Sequence, residues 1–177
     1  MNPAEQHRIL PASPGQSGQI AALARETFLQ TYAGTTIEAH LTAYVDEHFT
    51  EDVMRSELET PGFQFLTAWV EDDLAGYAKL RRDRQPPGIS ETRCLQLERI
   101  YILKAFQARG IGHRLLDNIR DMARTAGDRV LWLQVWQQNE QALAFYHKSG
   151  FTICDTAAFR LGSEVTRDYI MRSDIYP

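Results

Sequence analysis

The sequence predicts an α/β fold of the α+β kind, built as one domain over residues 1–177. Three observations carry that reading. Segments of strand and helix period follow one another in the order βααβββαβαββ. Residues 94–126 pass from a strand-like run through a glycine-bearing turn into a long amphipathic helix. Residues 130–136 are almost wholly apolar, as befits a strand covered on both faces. At 177 residues the chain is long enough to bury a sizeable core.

Residues 1–6 read as a flexible tail, 7–12 as a first strand, and Ser13-Pro14-Gly15 as a turn. A helix over 17–32 places Ile20, Leu23, Ala24, Phe28 and Thr31 on its inner face, and Ala33-Gly34 ends it. A second helix over 37–48 carries Leu41, Tyr44, Val45 and His48 at helical offsets. A further helical piece follows from Thr50, its N-cap, to Glu59, and Pro61-Gly62 stops it. Residues 63–70 read as a strand with Phe63, Phe65, Thr67 and Trp69 on one side. It returns as an antiparallel hairpin through 74–82. Residues 83–93, with Pro86-Pro87-Gly88, form an exposed loop. Beyond 94–126 and 130–136, Asn139 caps a helix that runs to Ser149. Two strands, 151–155 and 165–172, flank a loop over 157–164.

The bulk properties exclude several classes. A formal net charge of −4 argues against nucleic acid as the main partner, because phosphate binding needs basic clusters. There is no apolar run of membrane-spanning length and no charged-then-apolar N-terminus, so a cytoplasmic protein is expected. Cys94 and Cys154 lie far apart in apolar runs and read as buried free thiols. His40 and His48, eight residues apart, read as a wet helix face, and no metal is expected. Trp69, Trp132 and Trp136 read as core or pocket wall.

The turn Gln107-Ala108-Arg109-Gly110-Ile111-Gly112 is where a phosphate would sit. The first N–H groups of a helix lack internal partners, and the helix dipole favours negative charge there. A Walker A loop would end in Gly-Lys-Ser/Thr, whereas this one reads Gly-Ile-Gly-His. A dinucleotide fingerprint would have a third glycine where Leu115 stands, and an acid near Leu131-Trp132-Leu133, which has none.

Gln107-x-x-Gly110-x-Gly112 resembles instead the acetyl-CoA loop of the GCN5-related N-acetyltransferase (GNAT) family. A second signature of that family follows in order: Asn139, Ala142, Phe145-Tyr146, Gly150-Phe151. The resemblance runs over roughly residues 7–172. Gly76-Tyr77-Ala78-Lys79-Leu80-Arg81 and Glu98-Arg99-Ile100-Tyr101 look closest to its PaiA-like branch, which includes spermidine and spermine acetyltransferases. The resemblance implies a mixed, mostly antiparallel central sheet of about six or seven strands flanked by helices. It also implies acetyl-CoA as co-substrate and a small primary amine as acceptor, polyamines favoured. A protein N-terminal or lysine acetyltransferase and a non-catalytic acyl-CoA-binding regulator are the alternatives, and a homodimer is left open.

Acetyl transfer to an amine needs a proton removed from the amine, charge stabilised on the carbonyl oxygen, and a proton for the departing thiolate. The family places a general acid at Tyr146; a plain core tyrosine is the competing reading. The family's spermidine and spermine enzymes place a base at Glu98. An isolated carboxylate in an apolar strand is costly, so a salt bridge to Arg99 or Arg81 competes, as does simple attraction of the substrate cation. Backbone groups of Ile100, Tyr101 and Ile102 would pair with the pantetheine amides. Amides of Ala108, Arg109, Gly110, Ile111, Gly112 and His113 would hold the pyrophosphate, with side-chain help from Gln107 and Arg109. His113 also reads as a solvated histidine. Asn139 is a coenzyme contact or a helix cap. Placement in the family fold assigns Tyr32, Glu38 and Tyr77 to the acceptor pocket.

Overall fold

A computed structural model describes residues 7–176; the tail read over 1–6 lies outside the described residues. The elements are β1 (His7–Pro11), α1 (Ser17–Tyr32), α2 (Glu38–His48), α3 (Glu51–Glu59), β2 (Phe63–Val70) and β3 (Asp73–Arg81). They continue with β4 (Cys94–Ile102), α4 (Ile111–Ala126), β5 (Val130–Trp136), α5 (Glu140–Lys148), β6 (Thr152–Leu161) and β7 (Glu164–Asp174). The seven strands hydrogen-bond in the order β1-β2-β3-β4-β5-β7-β6 in a mixed, mostly antiparallel sheet. The expected string counted two helices ahead of β2. Three separate helices stand there, because Phe49 and the Thr50 cap break α2 from α3.

The chain forms two compact units, Met1–Lys79 with Arg99–Leu116, and Leu80–Glu98 with Asp117–Pro177. The division falls inside β3, β4 and α4, so each of these elements contributes residues to both.

In the first unit, α1 buries Ile20, Leu23, Ala24, Thr27 and Phe28, the stripe that its helical period requires. The Thr50 hydroxyl accepts the Val53 N–H at 3.2 Å and caps α3, whose first turn carries Glu51 and Asp52 at the positive dipole end. β1 and β2 pair antiparallel, with His7 opposite Val70 and Pro11 opposite Leu66. β2 buries Phe65, Leu66, Thr67 and Ala68 in succession. It is therefore covered on both faces, and Phe63, Phe65, Thr67 and Trp69 share one of them as expected; the Trp69 indole N–H donates to the Thr67 hydroxyl at 3.0 Å.

In the second unit, β5 buries Val130–Leu133 and Val135. It pairs in parallel with β4 at Cys94/Val130, Leu95/Leu131 and Gln96/Trp132, and antiparallel with β7 from Val130/Asp174 to Trp136/Asp168. The loop expected over 157–164 is a correction. β6 runs on to Leu161, and β7 begins at Glu164, joined by Gly162 (φ +59°) and Ser163. A two-residue turn led by a left-handed glycine is a hairpin device. The polar, exposed stretch of β6 is held by its register with β7, Ala157 opposite Asp168 through Leu161 opposite Glu164.

Candidate active site

The turn after β4 is built by backbone conformation. Ala108 (φ +62°) and Gly110 (φ +80°) both take the left-handed region, which costs a non-glycine residue about 1–2 kcal/mol. The first intrahelical bond of α4 runs from the Arg114 N–H to the Gly110 carbonyl at 3.1 Å, so the preceding amides have no acceptor within the helix. A Cβ built on Gly110 meets nothing within 4 Å. The glycine thus serves its φ and leaves open space at the mouth of the helix, a surface fit for an anion. Ile111 anchors the turn with a side chain 1% exposed, while Arg109 and His113 are exposed. The Arg109 guanidinium lies over the Phe106 ring at 5.3 Å. The Gln107 side-chain amide donates to the Ile102 carbonyl at 3.0 Å, so Gln107 braces the turn against the end of β4.

β4 is pressed closely by β3 at one point. A Cβ on Gly76 would stand 2.7 Å from the Tyr101 carbonyl oxygen, so only glycine fits. Two residues on, the Leu103 N–H donates to the Ala75 carbonyl at 2.9 Å. The backbone path of Ile100, Tyr101 and Ile102 is fixed by these approaches.

Tyr32 and Tyr77 both lie in the electrostatic surroundings of the Tyr101 phenol, which burial pushes well above the usual value near 10. Tyr32 packs on Phe28 at 4.6 Å between ring centres, and Tyr77 on Tyr101 at 6.0 Å. Tyr77 is 0% exposed and backs Tyr101 from within the core. Glu38 is exposed in the first turn of α2.

In the second unit, the salt-bridge reading of Glu98 holds with Arg81. Arg81 Nη1 donates to Glu98 Oε2 at 3.1 Å, and the same guanidinium grips Asp83 through Nε at 2.6 Å and through Nη2. The Asp83 bond, then the Glu98 charge, raise the Arg81 pKa, and the Arg81 bond lowers Asp83 to about 2. Arg99 belongs to the first unit. It donates to Glu57 at 3.3 Å, and Glu57 also takes Lys79 Nζ at 2.5 Å. Lys79 is 1% exposed and lies over the Phe63 ring at 4.6 Å. That buried group of charges was not foreseen, although a lysine inside an apolar strand is itself a signal for a partner.

Asn139 caps α5, its Oδ1 accepting the Ala142 N–H at 3.1 Å. One turn on, Tyr146 is 8% exposed, its ring 5.3 Å from Phe145 and 5.5 Å from Phe151. Its ring position is therefore set by packing. Both cysteines are free; Cys94 is buried and Cys154 half-buried. The His48 ring packs on Tyr44 at 4.3 Å. Among the described residues no helix is long and apolar enough to cross a membrane.

A mixed sheet of this order, with a left-handed turn leading from an inner strand into a long helix, agrees with the fold that the resemblance implies. A model of the acetyltransferase (GNAT) family matches residues 24–151. An uncharacterised N-acetyltransferase of Lactobacillus delbrueckii subsp. lactis is 32% identical over 165 residues, covering 93% of this chain and 95% of that protein. The chain belongs to the acetyltransferase (GNAT) family and is an N-acetyltransferase. A spermidine N(1)-acetyltransferase of Thermoplasma acidophilum is 26% identical over 76% of this chain and 81% of its own length. The crystal structure of the PaiA N-acetyltransferase from Thermoplasma acidophilum in complex with coenzyme A shares the fold. Its TM-score is 0.80 at 24% identity, covering 96% of this chain and 99% of that one.

Proposed function

We propose that the protein, acting as one N-acetyltransferase domain, transfers the acetyl group of acetyl-CoA to a primary amine of a small molecule. Spermidine or spermine is the favoured acceptor, and attack is direct within a ternary complex. The observation that carries this reading is the turn 107–113, whose two left-handed residues leave open space at the head of α4. Its amides, from Ala108 to His113, would hold the diphosphate. Backbone groups of Ile100–102 would pair with the pantetheine arm as an added strand does. Bringing donor and amine together supplies the entropic part of the acceleration.

The chemistry falls to two side chains. Glu98, anchored by Arg81, takes a proton from the substrate ammonium through water, and the freed amine nitrogen forms the new C–N bond as the C–S bond breaks. Tyr146 gives its phenolic proton to the departing sulfur and regains one from solvent, while the new amide nitrogen sheds its second proton to solvent. A phenol of ordinary pKa, about 10, is protonated at neutral pH and fits that role. The coenzyme A seen in the PaiA structure and the activity named for the Thermoplasma spermidine enzyme support the same donor and acceptor class.

The test is release of free coenzyme A thiol from acetyl-CoA across a panel of amines that includes spermidine and spermine. Turnover with a small amine is the expected result. Intact acetyl-CoA binding by calorimetry with no thiol released by any amine would overturn the reading.

A further inference from the structure

The sheet of the second unit has one largely apolar face and one mixed face, on which Cys94, Val130, Trp132 and Ile170 pack with Ile89 as a hydrophobic cluster. Leu95, Leu97, Leu131, Leu133, Val135 and Met171 point one way, each no more than 7% exposed. On the other face, Gln96 and Trp132 form a cross-strand pair. Glu98 and Gln134 follow two residues on, and Asp168 stands opposite Trp136. These acids and amides stand among the residues of that cluster, and packing alone does not call for them there.

Asp168 is the singular member. It is 7% exposed, and one carboxylate oxygen, Oδ2, accepts the Gln134 side-chain amide at 2.9 Å. The other, Oδ1, is buried with no hydrogen-bond partner among the described residues, as are Gln96 Oε1 and Trp132 Nε1 on the same face. Burial raises the Asp168 pKa, while Gln134 and Thr166 favour its charge. No lysine or arginine among the described residues forms a salt bridge with it. The other buried carboxylate, Asp128 at 3% exposed, pairs with Arg82 at 2.9 Å. An anion enclosed without a cation is held in readiness for one from outside.

We propose that Asp168, braced by Gln134 and flanked by Trp136, binds a second ammonium group of the acceptor, so that the enzyme selects diamines over monoamines. This rests on the acetyl-transfer reading and deepens it. β4 pairs with β5 as far as Gln96/Trp132 and β7 pairs with β5 as far as Trp136/Asp168, so Glu98 and Asp168 stand on the same face toward the same end of β5. The carboxylate supplies charge and the indole beside it an apolar, electron-rich wall for the ammonium.

The experiment compares 1,4-diaminobutane with butylamine as acceptors, in the wild type and in Asp168→Asn. The wild type shows the lower KM for the diamine. In Asp168→Asn that KM rises about tenfold or more, the loss expected of one charge-assisted bond. The KM values for butylamine and acetyl-CoA, the diamine kcat and the melting temperature stay at their wild-type values. Asp168→Glu keeps part of the preference. Equal loss for both amines, or an unchanged KM ratio, overturns the proposal. Calorimetry of 1,4-diaminobutane binding separates this inference from the reading it rests on. Binding that disappears in Asp168→Asn supports the subsite even where no amine is turned over, and binding that persists overturns it.

Discussion

The two units treat buried charge differently. In the first, Glu57 faces both Lys79 and Arg99, and the lysine is further wrapped by Phe63 and Phe65. Every charge there is answered from within the chain. In the second, Asp128 is likewise closed by Arg82, but Glu98 shares one guanidinium with Asp83, and Asp168 has an amide in place of a cation. Closed clusters are the signature of a structural role, because their charges have no free coordination to offer. Acids answered partly or not at all are the ones able to take a proton or a cation from a substrate. The contrast sorts carboxylates that composition treats alike.

The largest effects are expected where the contrast meets the chemistry. Tyr146→Phe lowers kcat by about 10²–10⁴-fold with acetyl-CoA affinity unchanged, measured by thiol release and calorimetry. Glu98→Gln lowers kcat by about 10²-fold or more and flattens the acidic limb of the pH–rate profile. A Glu98 variant with full kcat would return this residue to the structural class of Glu57.

Glu57→Gln is the counterpart. It leaves the Lys79 ammonium enclosed beside an uncharged side chain, and the loss of stability should be about 3 kcal/mol or more by urea denaturation. The kcat of the folded fraction stays at the wild-type value. Loss of kcat without loss of stability would break the comparison.

The coenzyme turn gives an intermediate effect. Gly110→Val forces a branched residue to φ near +80°, a strain of about 1–2 kcal/mol, and raises the dissociation constant for coenzyme A. Gly110→Ala does so less, because no neighbour crowds the new Cβ. The smallest effect belongs to Asp83, an exposed acid whose folded pKa, about 2, lies below its unfolded value. Its contribution to stability is complete above about pH 4 and disappears as pH falls toward 2. Asp83→Asn should therefore differ from wild type by a few tenths of a kcal/mol at neutral pH, and the two melting curves should converge in acid.

Much of this was legible in the sequence, for reasons that differ by element. β5 is an apolar run between Asp128-Arg129 and Gln137-Gln138, and its limits agree with the reading. Thr50 and Asn139 announced their helices as caps, and both accept the expected amides. The β6–β7 hairpin was hidden because its distal half is largely exposed, so the alternation of Ala157, Phe159 and Leu161 is shallow and pairing with β7 defines it. Gly162-Ser163 was its one local signal. The turn 107–112 was legible because left-handed backbone selects glycine. Ala108 adopts the same region with no side-chain sign of it. Asp168 went unnoticed for a similar reason. An acid in a strand reads as solvent-facing until three strands are registered against each other.

The most direct measurement is a crystal structure of the protein grown with coenzyme A. The account predicts the diphosphate on the main-chain amides between Ala108 and His113, with the pantetheine arm along Ile100–102. Coenzyme A lodged elsewhere would contradict it, above all in the cavity of about 770 Å³ that Arg120, Arg124 and Arg172 line in the second unit.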